Sequence, residues 1–258
     1  LDYDDEVVEK LFSVAEFYDK PVRGVRSSER GIYCCEAAMK LLIISTTTNE
    51  KSSTSRFLCS LVEKVARELK HEVKYIDAND LHIIKNLSCY SDGGRQCGDP
   101  EAGPYRCWAH VHGEEEPEKY GGRDEMPVIY DGLMWADVVV FGTSVRWGSH
   151  TALLQTIIER MNTLENRSTV YGERNPLNGK RCGVIVTGQH WKSRDVASRL
   201  LEVFGLYGFD IDPQGTLSWQ HVSDMNEEQE GNNTPEVALD MKDEKYSPVI
   251  RFVRSLGL

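Results

Sequence analysis

The sequence predicts an α/β fold, a doubly wound parallel sheet with helices on both faces. Two observations carry that prediction. Short apolar runs such as Leu41–Ile44 and Val138–Phe141 are hydrophobic throughout, as strands covered on both faces are, and do not alternate as half-exposed strands do. Between such runs lie segments with apolar residues at helical spacing, so strands and helices alternate along the chain. A length of 258 residues, with 40% apolar and 28% charged content, suits one sizeable domain with additions.

Taken in order, residues 1–38 form an acidic N-terminal arm. Val7, Leu11, Val14 and Tyr18 recur at helical spacing there, Asp4 or Asp5 is placed to cap the helix, and Pro21 lies beyond its end. Residues 39–258 then form the α/β domain. Met39–Ile44 is the first strand, followed by a helix over Arg56–Leu69 with Phe57, Leu61, Val65 and Leu69 on one face. Val73–Ile76 is the second strand. After a Cys/Gly-rich insertion, Asp124 is expected to cap a helix running to about Trp135, with Ile129 and Leu133 inward. Val138–Phe141 is the third strand, and Thr151–Leu164 a helix with Leu154, Ile157, Ile158 and Met161 apolar. Cys182–Val186 and a helix over Val196–Tyr207 follow. Phe209–Trp219 supplies the last strand, interrupted by Pro213 and Gly215, and a final helix follows the cap-like pair Ser247-Pro248.

Charge and composition exclude several classes. A net charge of −11 with no Lys/Arg stripe argues against a nucleic-acid binder. No apolar run approaches the ~20 residues that span a bilayer. Seven scattered cysteines, an odd number, fit a reducing compartment such as the cytoplasm better than a disulfide scaffold. No signal peptide is visible, although the first residue is Leu and a lost targeting segment stays open.

Doubly wound sheets bind ligands at the carboxyl ends of their strands, so the loops after the first, third and fourth strands are where chemistry belongs. The first reads LLIISTTTNEKSSTSRFL, Leu41 to Leu58: strand, hydroxyl-rich loop, helix. That order sets hydroxyls and free backbone N–H groups at the positive end of a helix, a site for a phosphate. It contains neither GKS/T nor GxGxxG, so it is not a Walker loop or a dinucleotide turn. A capped Ser/Thr-rich surface turn is the alternative. The second loop, FGTSVRWGSHTALLQTIIER from Phe141 to Arg160, brings two glycines, hydroxyls and Trp147. The third, VTGQHWK from Val186 to Lys192, adds Gln189, His190 and Trp191. Aromatic-bearing loops beside a phosphate loop suit a planar ring joined to a phosphate by a polar chain, which describes FMN.

These residues resemble the NAD(P)H-dependent FMN reductase and iron–sulfur flavoprotein branch of the flavodoxin-like superfamily. GTSVRWGS, Gly142 to Ser149, is similar to that branch's GSPVYWGS; Ile157-Ile158-Glu159-Arg160 resembles its hydrophobic pair followed by Asp-Arg; DEMPVIY, Asp124 to Tyr130, resembles DDM-x-x-IY. TTTNEKSST, Thr46 to Thr54, stands where GSPRKNGNT is common. The resemblance covers roughly Met39 to Trp219. It implies a flavodoxin-like five-stranded sheet of order 2-1-3-4-5, bound FMN, NAD(P)H as cosubstrate and a homodimer. Carried over by position, Thr47, Asn49, Ser53, Thr54 and Ser55 would surround the phosphate, with Lys51 or backbone donors meeting its charge. Thr143, Ser144, Val145, Arg146, Trp147 and Gly148 would border the ribityl chain and ring, and Thr187, Gly188 and Gln189 its far edge. Arg146 stands where an aromatic ring is usual; it would stabilise reduced flavin or hold an anionic substrate, or remain a solvated arginine.

FMN would supply the electron chemistry, so no protein nucleophile is required and no catalytic residue is named. Cys89, Cys97 and Cys107, with His110 and His112, admit three readings: a [4Fe–4S] unit, a zinc site, or loop thiols with no metal. Their spacing favours the last. The function expected is reduction of a quinone, flavin or other small acceptor; a flavodoxin-like electron-transfer protein and a flavin-free scaffold are the alternatives.

Overall fold

The computed structural model describes residues 38–48, 53–91, 95–188, 192–220 and 247–258. The arm expected around Val7–Tyr18 lies outside them, as do Asn49, Lys51 and Gln189. Five strands, β1 (Lys40–Ser45), β2 (Glu72–Asp77), β3 (Val138–Ser144), β4 (Arg181–Gly188) and β5 (Asp210–Gln220), form one sheet of order β2-β1-β3-β4-β5. Every pairing is parallel. The order and direction agree with the sequence expectation.

Central strands are buried on both sides, which explains their unbroken hydrophobicity. Leu42, Ile44, Val139, Phe141 and Val184 face a core completed by α4 (Met126–Trp135), α5 (Ala152–Thr169) and α6 (Ser193–Leu206). Leu41, Ile43, Val138, Val140 and Ile185 face the opposite core, under α1 (Thr54–Glu68) and α7 (Ser247–Ser255). Phe141 stacks on Phe204 with ring centroids 4.2 Å apart, which fixes α6 over β3. On the other face, a Cβ at Gly142 would lie 2.3 Å from Cys59 Sγ, so glycine lets α1 approach β3 at the site end of the sheet. In β5 the pairing with β4 shifts register between Cys182 and Val184, opposite the expected interruption around Pro213 and Gly215.

The insertion between β2 and α4 contains two short helices, α2 (Trp108–Glu115) and α3 (Pro117–Tyr120). It is pinned to α5: Thr163 Oγ1 accepts the Gly98 N–H at 3.2 Å and donates to the Tyr105 and Arg106 carbonyls. One expectation is corrected here. Asp124 does not cap α4, whose preceding residue is Glu125 with no side-chain cap bond. Asp124 is instead buried and paired with Arg160 of α5, while its Oδ1 accepts the Ile84 N–H at 3.1 Å. A buried carboxylate needs a cationic partner more than a helix end needs a cap.

Candidate flavin site

The loops after β1, β3 and β4 meet at the carboxyl end of the sheet, because these three strands are neighbours in register. A chain of buried hydroxyls fastens the first two. Thr46 Oγ1 donates to the Gly142 carbonyl at 2.8 Å, and the Thr151 hydroxyl donates to Thr46 Oγ1 at 3.1 Å. Thr143 Oγ1 lies 3.2 Å from Thr151 Oγ1 and accepts the Thr151 N–H. With its own proton committed to Thr46, Thr151 takes a proton from Thr143, so the hydroxyls run in one direction from Thr143 to the Gly142 carbonyl. Thr151 also caps α5 by accepting the Leu154 N–H. The network therefore ties together β1, β3 and the helix that follows the second loop.

At the start of α1, Thr47 Oγ1 lies 2.9 Å from Ser53 Oγ, which lies 2.9 Å from Ser55 Oγ. Thr47 and Ser55 are buried and Ser53 and Thr54 half-buried. Ser53 is the N-cap, although its side chain accepts the Arg56 N–H only at 3.5 Å. The hydroxyls hold one another and the cap bond is long, and rotation about their C–O bonds would turn their protons toward an anion at the helix N-terminus. Arg56, in the first turn, is paired with Asp77 at the end of β2 at 2.5 Å.

At the end of β3, Ser144 Oγ is buried with no hydrogen-bond partner among the described residues. A buried orphan hydroxyl at this place fits the polar chain between a phosphate and a ring. Beyond it, the Val145 N–H donates to the Thr187 carbonyl at 2.8 Å, which joins the second loop to the third. Arg146 to Ser149 form a small antiparallel bridge whose tip holds Trp147, exposed at 98% of its surface. Arg199 of α6 donates to the Gly148 carbonyl at 2.6 Å. His150 Nε2 meets Gln155 Oε1 at 2.8 Å; burial first, then the charge of Arg199, lower its basicity. These donors and surfaces suit FMN from phosphate to ring.

Among the expected residues, Thr47, Ser53, Thr54 and Ser55 come together at α1. Thr143, Ser144, Val145, Arg146, Trp147, Gly148, Thr187 and Gly188 lie on the two adjoining loops. Sequence reasoning missed Thr46 and Thr151, which support the cradle, and Arg199, which contacts it from a distant helix. The unbroken run Thr46-Thr47-Thr48 and the hydroxyl just before the Ala152 helix were the available signals for the first two. The cysteine-rich insertion lies against α5. His110 Nδ1 is 3.4 Å from Asp124 Oδ2, His112 Nε2 is 3.2 Å from Arg95, and Cys107 precedes α2. Among the described residues, no group of three or more His, Cys, Asp or Glu side chains is placed to hold a metal ion.

The sheet order, with helices on both faces, defines a flavodoxin-like fold whose three loops at the carboxyl end of the sheet form the candidate site. The chain belongs to the NADPH-dependent FMN reductase family, whose model matches residues 39–223, and FMN is accordingly its cofactor. Over 184 residues it is 26% identical to the 8-demethyl-8-aminoriboflavin-5′-phosphate synthase of Streptomyces davaonensis, covering 70% of this chain and 63% of that relative. The structure of RosB with bound 8-demethyl-8-formylriboflavin-5′-phosphate is similar at TM-score 0.59 and 20% identity, covering 85% of this chain and 79% of RosB. An FMN-dependent NADH-azoreductase from Bacillus anthracis, in complex with FMN, is similar at TM-score 0.51 and 15% identity, covering 84% of this chain and 98% of that one. At those identities the two structures establish the fold.

Proposed function

We propose that this chain is an FMN-dependent oxidoreductase that takes hydride from NAD(P)H and passes electrons to a small acceptor, such as a quinone or a free flavin. The observation that carries this reading is the juxtaposition of the Thr47–Ser53–Ser55 hydroxyl set at the N-terminus of α1 with the orphan Ser144 hydroxyl one strand away. Thr47, Asn49, Ser53, Thr54 and Ser55 bind the phosphate, and Lys51 meets its charge. Thr143, Ser144 and Val145 border the ribityl chain; Arg146, Trp147 and Gly148 border the ring, with Thr187, Gly188 and Gln189 at its far edge. FMN, when bound, supplies the hydride and electron chemistry. Arg146 places a cation near the ring, which favours negative charge there.

The same reading places the protein in the cytoplasm as a homodimer, with the arm over residues 1–38 covering an apolar surface of its own or the partner subunit. The scattered cysteines support the compartment. Among the described residues, no helix is long and apolar enough to cross a membrane.

A second reading has one observation in its favour. The Streptomyces relative is named for making a modified riboflavin phosphate, so the flavin phosphate at this site would be a substrate altered on its ring. An electron-transfer protein reduced only by a partner reductase is the remaining reading from the fold. Denaturing the purified protein and chromatographing what is released separates the first two. Unmodified FMN that turns over many equivalents of NAD(P)H supports the oxidoreductase. A flavin of altered mass, formed from added FMN, would replace that reading with the second.

A further inference from the structure

The turn after β3 is closed by two backbone bonds, Arg146 N–H to the Ser149 carbonyl at 2.7 Å and Ser149 N–H to the Arg146 carbonyl at 3.0 Å. Its central residues both have positive φ, +49° at Trp147 and +79° at Gly148, the pattern of a type I′ turn. Asn-Gly is the pair such turns favour. Gly148 meets that requirement and Trp147 does not, since a bulky L-residue in the left-handed region crowds its Cβ against the neighbouring carbonyl. Such a conformation persists only where the surroundings over-determine it. Packing does not supply the compensation, because the indole is 98% exposed. From outside the turn, Arg199 supplies it: Nη2 donates to the Gly148 carbonyl at 2.6 Å, short for a charge-assisted bond. A strained, exposed indole held at the flavin site by a helix 51 residues away in sequence is costly unless the ring has a use.

We propose that Arg199 is a positioning residue: it holds the Trp147–Gly148 turn in its strained form so that the indole is presented at the flavin ring. The presentation half rests on the FMN reading of the site, and the strain half does not. Trp147 is thus kept where Asn would fold more easily, and Arg199 offsets the difference. Two consequences follow. Removing Arg199 lets the turn relax, with little effect on the phosphate cradle at α1. Replacing Trp147 by Asn leaves the turn stable with or without Arg199.

The test is a double-mutant cycle on the full chain, by urea unfolding with and without saturating FMN, using Arg199→Ala, Trp147→Asn and both together. Arg199→Ala is expected to lower the midpoint by more in the Trp147→Asn background, where the turn stays formed and the whole bond to the Gly148 carbonyl is lost, than in the wild-type background, where relaxation of the strained turn returns part of that loss. Equal shifts in the two backgrounds would overturn the strain half. In the loaded enzyme, Arg199→Ala is expected to slow NADPH-driven turnover by roughly 3- to 10-fold and to weaken FMN by a similar factor through loss of the indole's contact with the ring, and Arg199→Lys to recover part of both. No loss of either, or the same losses in the Trp147→Asn background, where there is no indole to present, would overturn the presentation half. So would wild-type protein that takes up no flavin; the unfolding cycle then still decides whether Arg199 holds the turn.

Discussion

The Asp124 carboxylate and the Arg160 guanidinium meet in two parallel bonds of 2.9 and 2.6 Å, with 0% and 1% of their side-chain surfaces exposed. The pair joins the end of the insertion to α5, and Arg160 Nη1 also donates to the Ile84 carbonyl at 2.6 Å. Because α5 begins at the Thr151 cap beside the candidate site, this ion pair anchors the scaffold behind the second loop.

Breaking one partner of that pair leaves a buried charge. Asp124→Asn or Arg160→Met should destabilise the fold by about 3–5 kcal/mol in urea unfolding, and a loss under about 1 kcal/mol would contradict the assignment. Burial alone would push the Asp124 carboxyl up; His110, the Arg160 hydrogen bonds and charge, and the Ile84 N–H outweigh it and hold the group well below the usual carboxylate range. A carboxyl depressed on folding contributes stability above its unfolded pKa of about 3.9 and loses it as pH falls through the lower folded value. The gap between wild type and Asp124→Asn should therefore be full at neutral pH and narrow below about pH 4.

Ser53 should matter to ligand more than to fold. Its side-chain cap bond is 3.5 Å long, so Ser53→Ala should cost only about 0.5 kcal/mol of stability. A hydroxyl donated to a phosphate is worth more, and FMN affinity should fall about 10- to 100-fold in a flavin-quenching titration. Equal effects on stability and affinity would place Ser53 among the merely structural caps.

Gly142 and Cys59 should be coupled. Adding a methyl at Gly142 sets it against Cys59 Sγ at 2.3 Å, and Gly142→Ala is expected to cost about 1–3 kcal/mol. Cys59→Ala removes the sulfur, so the double variant should be less destabilised than the sum of the two. Strict additivity in urea unfolding would mean that the backbone, not the sulfur, sets the need for glycine.

Strands and helices were legible because the sheet is buried on both faces: Val138–Phe141 could be read as a covered strand from its composition alone, and Leu154, Ile157 and Met161 marked the buried stripe of α5. The three candidate loops are marked by their place after those strands. What escaped depends on contacts across long separations. Asp124 and Arg160 each stand in a motif, yet a one-dimensional reading makes Asp124 a local cap, because nothing in the sequence reports that Arg160, 36 residues away, reaches it. Arg199 is hidden for the same reason, being one exposed cation on a helix with Arg194 and Glu202. Trp147 offers a flat apolar face by its residue type, but its strained φ is a property of the turn.

Reduction of site-bound FMN by a pyridine nucleotide is the step on which the proposed function rests. It is tested most directly by the visible absorption spectrum of the FMN-loaded protein before and after NADPH, then NADH, is added without oxygen. Rapid loss of the oxidised flavin band with either nucleotide, and its return when a quinone is admitted, is the predicted result. A flavin band that persists with both nucleotides and disappears only with a partner reductase or dithionite would contradict the account.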